Sequence, residues 1–371
     1  MKKPDVKNIL VPIDFSRLSN LAIETAKILA RRLDATVHLV HVHEFFYPAG
    51  FMAPGTFVPM SLNTYRDAEA KRLGQDLKTL AKRHDLLASN CRVKEGTSTF
   101  DEVCQLARDI PADLIVMSTH GYTGITHFFE GSNAERIVQH APCPVYVVKE
   151  NNKRGKSSAI SVGSLRVEKI LVPVDFSDCS FEGLKHAIQF ADKFGARILL
   201  LNAVHLDNLY TSDGPDVYDR SRLQEAVRKG AEEQMRRIAQ RAKFGRVKFE
   251  TVIEIGLPVD KICAVADKNN VDLIITSTHG RTGFKHVLIG STAEKVVRRA
   301  KQPVLVVPSH PEMRVAKLAR KTQHGQRRID LGKKPRSAIS TADLAKRDQT
   351  RLAHPFPERR KTNKFRESHS S

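Results

Sequence analysis

The chain has 371 residues, a length that suits two or three globular domains, and its hydrophobic fraction of 41% is ordinary for a soluble protein. No apolar run approaches the roughly 18 residues of a membrane-spanning helix, and the first residues contain no apolar segment of a secretory signal. These features argue against a membrane protein and lead us to expect a cytoplasmic one, although the net charge of +20 is unusually high.

The first half of the chain alternates predicted strands and helices. Short runs of apolar, largely β-branched residues predict strands at Ile9–Asp14, Val37–Val42, Ser89–Glu95, Leu114–Met117 and Val145–Val148. Amphipathic periodicity predicts helices at Ser19–Leu33, Arg66–His84, Thr99–Asp109 and Ser132–His140. Thr99 and Glu102 have the spacing of a capping box, which places the start of the third helix at Thr99. Such alternation is typical of a parallel sheet with helices on both faces.

A linker and a second copy of the same pattern follow. Residues 150–166 are rich in Ser, Gly and Lys and lack periodicity, so they are predicted to form the linker. Strands are then predicted at Ile170–Asp175, Ile198–Ala203, Val247–Glu254, Leu273–Thr276 and Val304–Val307. Helices are predicted at Phe181–Phe194, Asp219–Lys243, Val259–Lys268 and Ser291–Ala300.

Two sequence motifs occur twice, in the same order. Asn-Ile-Leu-Val-Pro-Ile-Asp-Phe-Ser at 8–16 returns as Lys-Ile-Leu-Val-Pro-Val-Asp-Phe-Ser at 169–177. Ser-Thr-His-Gly-Tyr-Thr-Gly at 118–124 returns as Ser-Thr-His-Gly-Arg-Thr-Gly at 277–283. The offsets, 161 and 159 residues, are nearly equal. The chain is therefore predicted to contain two copies of one domain in tandem.

The repeated motifs fall where an open parallel sheet binds its ligands, beyond the carboxyl ends of the strands. Asp14 and Asp175 close the first strand of each copy, while Ser118 and Ser277 close the fourth. A glycine-rich loop then enters a helix at a Gly-Ser pair, which is typical of a phosphate cradle. The alternative is structural: the glycines serve tight turns, the serines open capping boxes, and the aspartates cap helices or turns.

The motifs together resemble the universal stress protein family. The similarity rests on Pro-x-Asp-Phe-Ser, Ser-Thr-His-Gly-x-Thr-Gly, Gly-Ser and Ala-x-x-Pro-Val-x-Val-Val, and it covers about residues 5–149 and 167–308. It implies an α/β fold of two Rossmann-like domains of the adenine-nucleotide α-hydrolase-like type. Each domain would be a five-stranded parallel sheet with helices on both faces. The ligand implied is ATP, ADP or AMP, with any metal undetermined.

The resemblance also implies a role for each matched position. The nucleoside would be held by the two aspartates, the nearby prolines and the backbone of the second strand: Pro12, Asp14, Val42, Pro173, Asp175 and Ala203. The ribose and phosphates would be held by Met117, Ser118, Gly121, Gly131, Ser132, Asn133, Thr276, Ser277, Gly280, Arg281, Gly290, Ser291 and Thr292. Nucleotide-binding members of the family carry a glycine at the position of Ser118 and Ser277, whose hydroxyls would donate hydrogen bonds instead.

The two predicted sites differ in charge. The second copy has Arg281 where the first has Tyr122, which adds a cation near the predicted phosphates. The first copy has Glu130 before its Gly-Ser pair where the second has Ile289, and a carboxylate there would repel a polyphosphate. We therefore expect the second copy to bind a triphosphate better than the first.

The segment 309–371 is strongly basic. It holds 17 Lys or Arg residues against 6 acidic ones, and only 9 of its 63 residues are Ile, Leu, Val or Phe. So little apolar surface cannot offset the entropy of ordering a backbone, and a disordered basic tail is predicted. Its clusters either make weak contacts with nucleic acid or form a solvated extension.

Neither a metal site nor a catalytic triad can be assembled from the spacing of the candidate residues. His38, His41 and His43 lie on one strand without a zinc-ligand pattern and are interpreted as structural, while His120 and His279 would line the clefts. The five cysteines show no CxxC pair and are predicted to be reduced thiols, most of them in cores. We therefore expect a protein that is not an enzyme.

The resemblance further implies how the copies pair. Family members commonly dimerise through their last strands, so an intramolecular pseudo-dimer is expected, with a homodimer and an unidentified protein partner as further expectations. The function implied is a cytoplasmic stress-response regulator that binds adenine nucleotide. Two alternatives stay open: a stress adaptor that binds no nucleotide, and a weak ATPase or self-phosphorylating protein that uses Ser132 or Ser291.

Overall fold

The computed structural model describes residues 6–45, 60–118, 133–149, 166–205, 220–278 and 290–308. All of these residues belong to one unit within residues 1–313. The predicted tail at 309–371 lies outside the described residues, as does the predicted linker apart from its last residue. Within the described ranges, none of the helices is long and apolar enough to cross a membrane.

The first half alternates strands and helices in the predicted order. Its strands are β1 (Asn8–Pro12), β2 (Thr36–Glu44), β3 (Cys91–Gly96), β4 (Leu114–Ser118) and β5 (Val145–Val148). Its helices are α1 (Arg17–Leu33), α2 (Met60–Arg83), α3 (Thr99–Asp109) and α4 (Asn133–His140). A short 3-10 turn (Ala88–Asn90) precedes β3.

The second half repeats this order. Its strands are β6 (Lys169–Pro173), β7 (Arg197–Val204), β8 (Phe249–Ile255), β9 (Leu273–Ser277) and β10 (Val304–Val307). Its helices are α5 (Asp178–Phe194), α6 (Arg220–Ala242), α7 (Pro258–Lys268) and α8 (Ser291–Arg299).

These ten strands hydrogen-bond into one sheet, in the order β3-β2-β1-β4-β5-β10-β9-β6-β7-β8. The strands of each half are parallel to one another. Matching registers relate the halves: Pro12 lies opposite Val40, and Pro173 lies opposite Leu201. The prediction of two α/β domains, each with a parallel sheet, is therefore confirmed.

Helices cover both faces of this sheet. On one face α1, α2, α5 and α6 pack against strand side chains such as Ile9 and Ile170. On the other face α3, α4, α7 and α8 pack against the adjacent residues Leu10 and Leu171. All four strand residues are fully buried. Because alternate residues point to opposite faces, a strand covered on both faces is a continuous apolar run, which is the pattern that made these strands predictable.

Two helices begin one residue away from a predicted cap. The N-cap of α3 is Ser98 and not Thr99, whose backbone amide donates to the Glu44 carboxylate at 2.8 Å. The N-cap of α8 is Gly290, so Ser291 is the first helical residue and the capping box predicted to start there is wrong. Ser, Thr and Gly are all accepted at an N-cap, so neighbouring residues of these types cannot be ranked from sequence.

The halves join through β5 and β10, which pair antiparallel. Tyr146 lies opposite Leu305, and Val147 lies opposite Val304. Every side chain in these two strands is buried. This contact is the one that the family resemblance implies for an intramolecular pseudo-dimer.

Tyr146 carries a polar group into this junction. It is fully buried, and its hydroxyl has no hydrogen-bond partner among the described residues. Because such a group costs about 1–3 kcal/mol, Tyr146→Phe is expected to raise the free energy of unfolding by about 1 kcal/mol in urea titrations. Tyr65→Phe, which changes an exposed ring, should have no effect. A loss of stability in Tyr146→Phe would show that the hydroxyl is satisfied.

Lys149 follows β5 directly, and most of its side chain is removed from water. Burial lowers the pKa of the Lys149 ammonium group to about 8, and Cys263 on α7 opposes part of this shift. The matching position of the second half is Pro308, so the cation occurs in one half only. A poorly solvated cation beside the β5–β10 pair destabilises the junction at neutral pH.

Candidate functional site

The strand order creates a switch point in each half. β1 lies between β2 and β4, and β6 lies between β7 and β9, so the chain crosses to the other side of its first strand at these positions. Ligands of open α/β sheets bind at the carboxyl ends of the strands beside such a point. Pro12 and Ser118 end the two strands in the first half, and Pro173 and Ser277 end them in the second.

Asp14 lies two residues beyond β1, in a tight turn that leads into α1. Its Oδ1 accepts hydrogen bonds from the Ser16 amide at 3.0 Å and from the Ser19 hydroxyl. Phe15 has a positive φ of 61°, which is rare for a bulky residue. Asp14 therefore shapes the turn, as the structural alternative requires. Among the described residues, every hydrogen bond to its carboxylate falls on Oδ1, which leaves Oδ2 for a ligand.

The same turn recurs in the second half. Asp175 Oδ1 accepts hydrogen bonds from the Ser177 amide at 3.1 Å and from the Ser177 hydroxyl at 2.6 Å. Phe176 has a positive φ of 67°. Ser177 also caps α5, where its hydroxyl oxygen accepts from the Ser180 amide at 3.1 Å. A strained backbone residue thus stands at each switch point, and strain of this kind is typical of functional sites.

The backbone of β2 continues past the end of β1. The Val40 carbonyl accepts a hydrogen bond from the Ile13 amide at 2.7 Å. Val42, two residues further, turns its N–H and C=O to the same side, where β1 has already ended. In the second half the Leu201 carbonyl accepts the matching bond at 2.8 Å, and Ala203 takes the place of Val42. A backbone donor and acceptor are complementary to an adenine edge, which has an amino group and ring-nitrogen acceptors.

His41 packs beside this stretch of backbone. Its Nδ1 donates to the Ile13 carbonyl at 2.8 Å, because a carbonyl oxygen only accepts. Its ring contacts Phe15, with ring centroids 4.8 Å apart. In the second half Asn202 Nδ2 donates to the Val174 carbonyl at 2.7 Å in the same way. These contacts support the interpretation of His41 as a structural residue.

Acidification is expected to weaken the first half through His41. Burial lowers the pKa of His41 below its ordinary value of 6.5, so the unfolded chain binds this proton more readily than the folded chain. The stability that the neutral His41 ring contributes is fully present above pH 6.5, and it is lost as the pH falls from 6.5 towards the lowered pKa of the folded chain. His41→Asn, which copies Asn202, should reduce the loss measured by urea unfolding at pH 7 and pH 5. Equal losses in both proteins would contradict this assignment.

Ser118 and Ser277 stand where the resemblance implies a glycine. Neither has a positive φ, so the backbone at these strand ends does not require glycine. Ser277 lies opposite Val307 in the sheet and is buried. Met117 and Thr276, which precede the two serines, are also buried. The strand ends therefore keep their pairing without the glycine.

The predicted phosphate residues are described only in part. Gly290 caps α8 and donates its amide to the Thr278 carbonyl at 2.6 Å. Ser291 and Thr292 follow it in the first turn of α8, and both are exposed. Outside the described residues lie Gly121, Gly131, Ser132, Gly280, Arg281, Tyr122, Glu130, Ile289, His120 and His279. The charge difference that these residues suggest between the two copies stays a prediction.

Both halves match a single protein family. The model of the universal stress protein family matches residues 5–149 and 166–308, which make up well over half of the chain. The chain belongs to the universal stress protein family. The resemblance stated from its motifs is therefore confirmed.

The proteins similar to this universal stress protein match either one part of the chain or most of it. One universal stress protein of Methanocaldococcus jannaschii is 32% identical over 151 residues, which span 41% of this chain and 88% of the relative. A second from that organism is 29% identical over 156 residues, which span 39% and 96%. The crystal structure of a universal stress protein from Archaeoglobus fulgidus matches 83% of this chain and 98% of its own, with a TM-score of 0.53. At 18% identity, that likeness shows the fold alone.

Thiols and histidines of these universal stress protein domains do not form a metal site in the described part of the chain, where no three candidate ligands are grouped. His38 Nε2 instead lies 3.1 Å from Asn8 Oδ1. All five cysteines are free, and Cys104 and Cys143 are buried. Burial raises the pKa of both thiols, that of Cys104 to about 11. Such thiols are protonated and inert at neutral pH.

Glu44 is a residue near this universal stress protein site that the sequence motifs did not reveal. It ends β2, two residues after Val42. Its Oε1 accepts from the Thr99 amide at 2.8 Å and lies 3.5 Å from the side-chain nitrogen of Asn133, a predicted phosphate residue. A charged residue at the carboxyl end of a strand is the sequence signal that could have identified it.

Proposed function

We propose that this universal stress protein binds an adenine nucleotide in each domain and acts in the cytoplasm, through contacts with a protein partner, as a stress-response regulator and not as an enzyme. The observation that carries the proposal is the strained Asp-Phe-Ser turn, with Phe15 and Phe176 in the left-handed region, at the switch point of both halves. Membership of the family supports the same ligand class.

The groups at each switch point suit an adenosine moiety. The backbone at Val42 and Ala203 supplies a donor and an acceptor for the adenine edge. Asp14 keeps Oδ2 for a ribose hydroxyl or an amino group. α8 begins at Ser291, its N-cap Gly290 provides no side-chain hydrogen bond, and such helix starts favour phosphate. ATP, ADP and AMP share the adenosine, so the proposal commits to the adenine nucleotides as a class.

The first test uses the protein as purified. Native mass spectrometry shows what is bound to it, and calorimetric titrations with ATP, ADP and AMP then measure its affinities. We expect adenine nucleotide on the protein, and about a tenfold loss of affinity in each domain for Asp14→Asn and Asp175→Asn. Asparagine keeps an oxygen that accepts the Ser16 or Ser177 amide, so the turn survives while the charge is removed. Unchanged circular dichroism of these variants is the control.

Two results would replace the proposal. If no nucleotide copurifies and none of the three produces heat, the protein is an adaptor that binds no nucleotide. If labelled ATP is hydrolysed, or if it labels Ser132 or Ser291, the protein is an ATPase or phosphorylates itself. Mass spectrometry of digested protein, with alanine at each serine as the comparison, separates these last two cases.

A further inference from the structure

Glu44 places a negative charge at the carboxyl edge of the first half. Its Oε1 accepts a hydrogen bond from the amide of Thr99, the first residue of α3, at 2.8 Å. The same atom lies 3.5 Å from the side-chain nitrogen of Asn133, which opens α4. The first residues of two helices therefore contact one carboxylate.

The second half has a different residue at this position. Register relates Val40 on β2 to Leu201 on β7, because each lies opposite the proline that ends the neighbouring strand. Counting four residues onward pairs Glu44 with His205. The second half therefore has an imidazole where the first has a carboxylate.

The contact with Asn133 links this difference to the predicted phosphates. Asn133 is the first residue of α4, and its counterpart Thr292 lies in the first turn of α8. The starts of these two helices are predicted to face the phosphate groups. A phosphate bound beside Asn133 would lie within a few ångströms of the exposed Glu44 carboxylate, and like charges at that distance repel each other. Adenine and ribose carry no charge and would not meet this repulsion.

We propose that Glu44 is a specificity-determining residue that restricts the first domain to adenine ligands with little phosphate charge, such as adenosine or AMP, and leaves ATP to the second domain. This inference rests on the proposed function of the site. It differs from the charge difference predicted from Arg281 and Glu130, because it depends on a carboxylate whose contacts with Thr99 and Asn133 are described.

The test is calorimetric titration of the full chain with adenosine and with ATP. Glu44→Gln removes the charge and keeps an oxygen that accepts the Thr99 amide. We expect it to tighten ATP binding to the first domain about tenfold and to change adenosine binding less than twofold. The reciprocal variant, His205→Glu, should weaken ATP binding to the second domain by a similar factor. Glu250→Gln, at an exposed position on β8, controls for net charge and should have no effect.

The outcomes separate this inference from the proposed function. Equal ATP affinity of the two domains in the unmodified protein overturns the role of Glu44 and leaves nucleotide binding intact. An equal gain for adenosine and ATP in Glu44→Gln also overturns it, because a gain without charge selectivity reflects shape. If neither ligand binds to any of these proteins, both the inference and the proposed function are wrong.

Discussion

Replacing Val147 with aspartate is expected to lower the free energy of unfolding by about 4 kcal/mol or more. Val147 is 1% exposed and lies opposite Val304 in the antiparallel pair that joins the two halves. Hydrophobic side chains surround this position, so a carboxylate there has to be neutralised or left without solvation. Urea unfolding followed by circular dichroism measures the loss.

A matched variant on an edge strand shows whether the effect belongs to the junction. Thr251 lies on β8, at the outer edge of the sheet, and its side chain is exposed. Thr251→Asp should change the free energy of unfolding by no more than about 0.5 kcal/mol. Full stability of Val147→Asp would show that the β5–β10 contact does not hold the halves together, and equal losses in both variants would point to a general effect of added charge.

Lys149→Met is expected to act in the opposite direction and to raise the free energy of unfolding by about 2 kcal/mol at pH 7. The pKa of Lys149 falls from an ordinary 10.5 to about 8 because the ammonium group is buried. At neutral pH the protein therefore buries a charged ammonium group on folding, although that group is more stable in water than in the folded protein. Methionine fills a similar volume without charge, so its burial favours folding.

The pH dependence of Lys149→Met distinguishes a charge effect from a packing effect. Between pH 8 and 10.5 the unfolded chain binds the Lys149 proton and the folded chain releases it, so the penalty fades as the pH rises through this range. The advantage of Lys149→Met over the unmodified protein should therefore shrink between pH 8 and pH 10. Lys301→Met is the control, because Lys301 is exposed, its bond to Asp267 raises its pKa, and its loss should not stabilise the protein. An advantage that stays constant with pH would attribute the effect to packing alone.

The sequence predicted the central strands best, for a physical reason. β4 and β9 are covered by helices on both faces, and their uninterrupted apolar runs, from Leu114 and from Leu273, identify them without ambiguity. β3 is an edge strand of mixed burial, and it begins at Cys91 and not at Ser89, because a 3-10 turn occupies Ala88–Asn90. The hydrophobic pattern that identifies a strand is weakest at the edge of the sheet, where one side of the strand has no neighbouring strand.

The candidate site was predictable only where its parts are close in sequence. Asp14, Phe15 and Ser16 form one turn, so their motif could be recognised, although the motif could not show that Asp14 accepts the bonds of the turn on one oxygen. Glu44 and Asn133 are brought together by the fold, and no spacing along the chain reveals that contact. A turn formed by neighbouring residues could therefore be predicted from the sequence, and a contact between residues far apart in the chain could not.

The antiparallel pairing of β5 and β10 also decides where the two candidate sites lie. Each half is parallel within itself, so reversing one half against the other sends the turns at Asp14 and Asp175 to opposite rims of one continuous sheet. A single nucleotide is too small to reach both rims. A partner bound at one rim would leave the other rim accessible. Any coupling between the two candidate sites has to pass through the contacts between the halves, which include the β5–β10 pair and a contact of α1 with α5.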